Sequence, residues 1–465
     1  MKRSLTRSGL LRQSTHEELR RPNERSYQSH IGSQQTSLSI FPPYMRSIAF
    51  LLDDSNVHGA DLTDPALGNP AVGGTEYSFV SLAHELASRR IARVILLHRN
   101  RANTYPKTLT VVPIDDYPAG LRRLLNQAEP IDGILVRGHD SLVGAGVIEA
   151  IPDRISVIAW THNHLRSATL SYLARREQIK RVVYVGREQC ALAAGGPSHY
   201  KSTYIVPGFY VEPRSNGSKQ RRAVYIGSLV PQKGFHRLAR LWPCIRRACP
   251  TAELDVIGSS QINYPDQQLG TLGVASLSYE KLILRYLRND PANYGVVFHG
   301  KMGTEKYDVI GRAMVGLPNP TGFTECCPAS VVEMSQCGAA VVAMRQWGMC
   351  DTVVDGTTGY LCRDDREYVA RVSSLFADPD AARSMGVAGQ RFVKDTFSYA
   401  VICEKWERLL NEVLSSAVPN YASPAISGRY PLHRLRVANS RLRWPRLHAA
   451  LGFVDRVRGV FLKRY

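Results

Sequence analysis

The chain is predicted to be an α/β protein of two open, doubly wound sheets, with flexible basic extensions at both ends. Three observations point there. At 465 residues it exceeds one ordinary core and suits two domains of about 150–200 residues each. Apolar runs of strand length alternate with segments of helical period, twice over. Between the two series, Pro207–Arg222 turns to Pro, Gly, Ser, Asn and basic residues, the composition of a linker.

Residues 1–44 are rich in Ser, Arg and Gln without periodicity, which predicts a disordered basic leader. Order is expected from Ser47–Leu52 (SIAFLL), a buried strand, followed by a loop ending at Gly73-Gly74-Thr75-Glu76. A helix then spans about Glu76–Arg90, with Phe79, Ala83, Leu86 and Ala87 on one face. Further strands are expected at Arg93–Leu97, Leu109–Val112, Ile131–Val136, Ser156–Trp160, Val182–Val185 and Tyr204–Val206. The second series opens with the strand Ala223–Gly227 and a helix over Phe235–Ala248. Strands at Leu254–Ile257, Val296–Phe298, Met314–Leu317 and Ala340–Ala343 follow, and a long helix near Ala400–Leu414 closes the series. The implied organisation is a leader (1–44), a first domain (45–208), a second domain (222–400), a closing helix (401–418) and a basic extension (419–465).

The net charge of +19 is uneven: residues 1–46 contribute +5 and residues 419–465 contribute +9, leaving +5 for the body. Such ends are either solvated tails or attracted to an anionic surface. The basic residues are not interleaved with aromatics in any nucleic-acid-binding module, so nucleic acid is not an expected partner. All nine cysteines lie between Cys190 and Cys403 with no C-x-x-C pair, which reads as reduced, mostly buried thiols in a cytoplasmic protein. No apolar signal region and no membrane-spanning run is present in the sequence. In the extension, Leu451, Val454, Val457 and Phe461 fall at helical spacing among Arg456, Arg458, Lys463 and Arg464, with Pro445 expected to interrupt any helix. That pattern fits an anionic membrane face, or docking back on the protein, equally well.

The segment Gly322–Glu333 (GFTECCPASVVE) carries the strongest chemical signal. Pro328 suits the first turn of a helix and Gly338 a helix stop. Glu325 then lies before the helix and Glu333 inside it, with the helix's free N–H groups between them forming an anion site suited to a diphosphate. A carboxylate on either side can accept hydrogen bonds from sugar hydroxyls. Upstream, Tyr225–Phe235 is a strand, a loop and a helix start, and Lys233 at the turn can neutralise phosphate. Gly73 and Gly74 allow close backbone approach at the start of the first long helix, or mark only a tight turn. His162 and His164 follow the strand Ser156–Trp160, where ligands of open α/β sheets gather. Two residues apart in extended backbone, they point to opposite sides, so no metal site is read there. His139-Asp140 is a further candidate to line the cleft, whereas Gly144-Ala145-Gly146 lacks a preceding strand and a third glycine.

Glu325–Val342, with its E-x(7)-E spacing and Gly338-Ala339-Ala340-Val341-Val342, resembles the signature of family 4 glycosyltransferases of the GT-B fold. Gly73-Gly74, Tyr225–Phe235 and Asp355-Gly356-Thr357-Thr358-Gly359-Tyr360 extend the resemblance over roughly residues 47–415. It implies two Rossmann-like domains facing across a cleft, an N-terminal acceptor domain and a C-terminal nucleotide-sugar domain. It further implies a retaining hexosyl transfer without metal or cofactor, from a nucleotide-sugar donor to a glycan or lipid-linked acceptor in surface or exported polysaccharide synthesis. Peripheral contact with an anionic membrane on its cytoplasmic face is compatible with such an acceptor. His162 and Glu325 are the catalytic candidates. Gly73, Gly74, Ser228, Lys233, Met302, Glu325, Cys327, Pro328, Ala329 and Glu333 are the donor-binding candidates. The segment His299–Met302 is similar to the one beside the nucleobase. One position departs from the family: Ser228 stands where an arginine is expected, bringing a hydroxyl without charge. A nucleotide-sugar epimerase, or a non-catalytic binding protein of the same fold, is the alternative reading.

Overall fold

The structure, a computed structural model, describes residues 45–127, 130–212, 218–323, 325–415 and 424–463; the leader read at 1–44 lies outside them. The first series comprises β1 (Ser47–Leu51), α1 (Gly74–Ser88), β2 (Arg93–His98), β3 (Thr110–Pro113), α2 (Tyr117–Leu125), β4 (Gly133–Arg137), β5 (Ser156–Thr161), α3 (Ser167–Arg175), β6 (Ile179–Tyr184), α4 (Arg187–Ala193) and β7 (Ser202–Tyr204). The second runs β8 (Gln220–Ile226), α5 (Phe235–Ala248), β9 (Glu253–Ile257), α6 (Leu277–Tyr286), β10 (Val296–Gly300), α7 (Lys306–Arg312), β11 (Ala313–Gly316), α8 (Ala329–Gln336), β12 (Ala340–Met344), α9 (Met349–Thr352), β13 (Gly359–Cys362), α10 (Asp365–Ala377) and α11 (Pro379–Phe397). Three helices close the chain: α12 (Tyr399–Leu414), α13 (His433–Leu442) and α14 (Pro445–Lys463).

Both sheets are parallel. The first has seven strands in the order β3-β2-β1-β4-β5-β6-β7, the second six in the order β10-β9-β8-β11-β12-β13. The central strands are continuous apolar runs because helices cover both faces; every residue of β1 is buried. In each sheet the strand order reverses once, beside β1 in the first and beside β8 in the second. A crevice opens outside the carboxyl ends of the strands at such a reversal. The two α/β sheets are therefore as the sequence implies.

Several boundaries moved, for physical reasons. β6 begins at Ile179, earlier than its apolar run, because Arg181 is buried and paired with Glu412 of α12. β8 begins at Gln220, inside the stretch read as linker. α11 was not anticipated because Gly386 and Gly389 lie within it. These glycines let it pack closely on the end of α8: a Cβ at Gly386 would stand 2.2 Å from the Gly338 carbonyl oxygen.

The chain returns to the first sheet after α11. Phe209, leaving the first series, donates its N–H to the Phe397 carbonyl at 2.8 Å, so both crossings between the sheets lie side by side. α12 then buries Ile402, Trp406, Leu409, Leu410 and Val413 in the first sheet's core. Trp406 meets Trp160 of β5 edge to face, their centroids 5.2 Å apart.

The C-terminal extension is not a flexible tail over residues 424–463. Pro445 begins α14 instead of interrupting it, since proline is well tolerated where a helix N–H would be unpaired anyway. Arg436 of α13 is buried and bonds Asp455 of α14 at 2.8 Å, and His448 of α14 meets Ser167 of α3 at 3.2 Å. Ahead of the two helices, the fully buried Glu188 of α4 accepts bonds from the N–H groups of Ser427 and Gly428 and from the Tyr430 hydroxyl. Tyr430 in turn accepts from the Trp347 N–H at 2.7 Å, so the segment ties the two sheets' loops together. Among the described residues no helix is long and apolar enough to cross a membrane, and five cysteines are fully buried.

Replacing Trp406 by alanine should cost about 3–5 kcal/mol, the range for deleting a large buried aromatic. Equilibrium urea unfolding of the full chain reads this directly; a loss near zero would mean that α12 does not hold the first sheet's core.

Candidate active site

A cavity of about 570 Å³ lies between the carboxyl ends of the two sheets. The first sheet contributes Gly73, Gly74 and Glu76 from the start of α1, Arg137 from the end of β4, and His162 and Asn163 beyond β5. The second contributes Ser228 and Lys233 beyond β8, Met302 beyond β10, Lys306 at the start of α7, and the run from Glu325 through Ala329 into Glu333 of α8. All eleven candidate residues therefore line one cavity: Gly73, Gly74, His162, Ser228, Lys233, Met302, Glu325, Cys327, Pro328, Ala329 and Glu333.

Local sequence explains the arrangement. Pro231–Lys233 forms one tight turn that ends on Gly234 in the left-handed region (φ 67°). A side chain there would also strike Thr321, with a Cβ 2.6 Å from its methyl. That turn delivers Lys233 Nζ to Glu325 Oε1 at 2.7 Å, while Asn319 Nδ2 donates to the same oxygen at 3.0 Å. Pro328 caps α8 without any side-chain hydrogen bond, and Pro328, Ala329 and Ser330 at the head of the helix line the cavity. Gly338, also left-handed (φ 73°), stops the helix chain just beyond Cys337.

The charges are paired one to one. Lys306 Nζ meets Glu333 Oε1 at 2.7 Å with both side chains buried, and Arg137 Nη1 meets Glu76 Oε1 at 3.1 Å. With Lys233–Glu325, three cations face three carboxylates. The charged side chains of the pocket are thus balanced among themselves. Burial raises the Glu76 carboxyl above its ordinary value, outweighing the lowering by Arg137.

His162 faces the cavity and neither ring nitrogen has a hydrogen-bond partner. Burial first, then the field of Arg137, holds its imidazolium pKa down to about 3, so the ring is neutral at physiological pH. His164 points the other way and stacks edge-on against Trp347, ring centroids 4.5 Å apart. Burial raises the Cys327 thiol well above its ordinary value, so it stays protonated and is no nucleophile. The Ser228 hydroxyl donates to the Ser259 carbonyl at 3.1 Å, and its one proton is thereby committed to the backbone.

Other expectations are corrected. Asp140 lines a different cavity, holding Thr169 and the Arg166 N–H, and His139 bonds Ser141; neither is among the residues lining the site. His299 turns to Asp255 at 2.7 Å. Lys306, Arg137, Glu76 and Asn319 were missed. Arg137 closes an apolar strand and Glu76 opens a helix beside two glycines, signals of position that could have found them; Lys306 lies in no motif.

The profile of the family described as glycosyl transferases group 1 matches residues 220–378, the second sheet's segment. Over that segment the chain is similar to the glycosyl transferases of group 1. The chain is similar to a GDP-mannose-dependent alpha-(1-6)-phosphatidylinositol monomannoside mannosyltransferase of Mycolicibacterium smegmatis, 32% identical over 180 residues, 38% of this chain and 44% of that protein. It is also 40% identical over 90 residues to the alpha-maltose-1-phosphate synthase of the same organism, 18% of this chain and 23% of the synthase. The chain spans less than half the length of these curated relatives. In fold it is similar to sucrose-phosphate synthase from Thermosynechococcus elongatus (TM-score 0.61, 17% identity, 80% of this chain and 100% of that one). It is likewise similar to Anabaena HepE in complex with UDP and glucose (TM-score 0.58, 14% identity, 79% and 100%).

The buried Lys306–Glu333 pair is open to a double-mutant test. Lys306→Met alone leaves a buried carboxylate unmatched and should cost about 3–5 kcal/mol. Adding Glu333→Gln should restore most of that stability. Chemical denaturation of both single variants and the double variant decides it, and losses that simply add would show the pair to be energetically uncoupled.

Proposed function

We propose that the chain is a retaining hexosyltransferase that moves a sugar from a nucleotide-sugar donor to a glycan or lipid-linked acceptor, working in the cytoplasm in surface or exported polysaccharide synthesis. One observation carries the reading: side chains from the carboxyl ends of both sheets converge on a single cavity that combines a helix N-terminus, two lysines and two glutamates. Anion-binding N–H groups between two carboxylates match a diphosphate linked to two hydroxyl-rich sugars.

In this reading the diphosphate rests on the first turn of α8, within reach of Lys233 and Lys306. Glu325 accepts from hydroxyls of the transferred hexose and Glu333 from the ribose. Lys306 supplies the second positive charge that the family resemblance assigns to an arginine at the position of Ser228. The acceptor enters from the first sheet near Gly74 and His162. A neutral imidazole there can lend its lone pair to the electron-poor anomeric carbon, where an imidazolium would repel it. As the anomeric C–O bond breaks, the leaving phosphate takes the acceptor's proton and the acceptor oxygen bonds to the same face, so configuration is retained. The negative charge gained by the diphosphate is met by lysine and helix N–H groups, and no metal or cofactor is invoked. The mannosyltransferase relatives make GDP-mannose the first donor to try.

A screen of donor hydrolysis with UDP-, GDP- and ADP-sugars tests the class. Lys233→Ala should lower donor turnover by about 10²–10³-fold, the magnitude of losing one charge-stabilising group. Undiminished turnover in that variant sinks the proposed role. The rate profile should also lack an inflection from His162 between about pH 5 and pH 8, because its proton leaves near pH 3. The lost charge at Ser228 favours a second reading, a donor-binding protein without transfer. Tight donor binding with no sugar released or transferred would select it.

A further inference from the structure

The two C-terminal helices show an inverted distribution of polarity. α13 turns Arg436, Asn439 and Ser440 inward, where all three are buried, and leaves Leu435 and Leu442 exposed. On α14 the inner side carries His448, which meets Ser167, Leu451, which is buried, and Asp455, which pairs with Arg436. The opposite side carries Phe453, Val457 and Val460, spaced as one stripe and all exposed, Phe453 at 59%. Between the helices runs Arg441-Leu442-Arg443-Trp444-Pro445-Arg446, exposed at every residue, with Trp444 at 56%. Scattered apolar residues on a surface are ordinary, but a contiguous run on one small substructure marks a binding face.

Charge selects the occupant. Residues 424–463 hold nine Arg or Lys against one Asp, and that Asp is already paired with Arg436. Beside α14 a further cavity of about 650 Å³ is lined by Arg237, Arg345, Arg363, Arg366, Arg429 and Arg458, against only Asp364 and Asp365. A second copy of this face would bring like charge against like charge. The leader, itself net positive, is excluded on the same ground. Nucleic acid would satisfy the arginines and leave Leu442, Phe453, Val457 and Val460 in water. A surface with an anionic headgroup layer over a hydrocarbon interior satisfies both sets at once, and tryptophan favours that boundary.

We infer that the α13–α14 hairpin is a docking surface for an anionic lipid membrane, with Leu442 and Trp444 entering the interface and Arg441, Arg443 and Arg446 engaging headgroup phosphates. This does not rest on the transferase reading, because none of these residues lines the candidate active site and binding needs no donor or acceptor. The full chain should co-sediment with vesicles of phosphatidylcholine mixed with phosphatidylglycerol and stay in solution with phosphatidylcholine alone. Raising the salt should weaken the binding. The double variant Leu442→Glu/Trp444→Glu should lower the bound fraction at least about tenfold, and Arg441→Gln/Arg443→Gln/Arg446→Gln should abolish the preference for anionic lipid. All these sites are exposed, and unchanged thermal unfolding confirms that the variants remain folded. Equal sedimentation of wild type and variants overturns the inference. So does a salt-sensitive shift of a DNA or RNA duplex with no vesicle binding, or self-association in light scattering that the Leu442/Trp444 variant abolishes.

Discussion

A charge taken out of water must be met by an opposite charge or by several hydrogen bonds, and that requirement organises the region where the two sheets meet. Each buried carboxylate there finds its partner on a different element. Lys233, after β8, holds Glu325, after β11; Lys306, at the head of α7, holds Glu333 of α8; Arg137, ending β4, holds Glu76 of α1. Glu188 is met by the segment from Ser427 to Tyr430, over 200 residues away in sequence. The loops at the strand ends have no ladder of their own to hold them. These pairs do it, so the site's geometry and its charge balance come from the same few contacts.

The parts of the fold that could be read from the chain are those where local chemistry and tertiary environment agree. β1 and β12 are short apolar runs buried along their length, and a strand covered on both faces must look that way. α8 was legible because Pro328 and Gly338 mark its two ends, and its register then set Glu325 before it and Glu333 within it. Where the environment overrides local preference, the reading failed. α11 carries two glycines that weaken a helix in isolation and here permit close contact with the end of α8. Lys306 and Asn319 belong to no pattern, and only the fold brings them to Glu333 and Glu325.

The C-terminal extension shows why amphipathicity alone could not say which side faces the protein. A helix is usually read with its apolar stripe inward. In α13 the inward side is polar because each polar group has a partner: Arg436 donates to Asp455 and to the Pro431 carbonyl, and Asn439 accepts from the Trp444 N–H. The interior therefore imposes no penalty on them, and the leucines are left outside. Docking on the body and presenting an apolar face were read as rival accounts of these residues; the two sides of one hairpin accommodate both.

The one-to-one pairing in the cavity bears on what a ligand must offer. A bare phosphate that drew Lys233 toward itself would leave Glu325 buried with only the Asn319 amide, and drawing Lys306 would strand Glu333. Either step gives up one charge contact for another and gains little. A ligand that brings hydroxyl donors along with its phosphates avoids this exchange, since the sugar can satisfy each carboxylate as the lysine turns away. In the proposed reading, selectivity for a sugar-linked diphosphate over free phosphate follows from this coupling. Recognition of the anion and of the sugar is then a single event, because the same salt bridges must open for both.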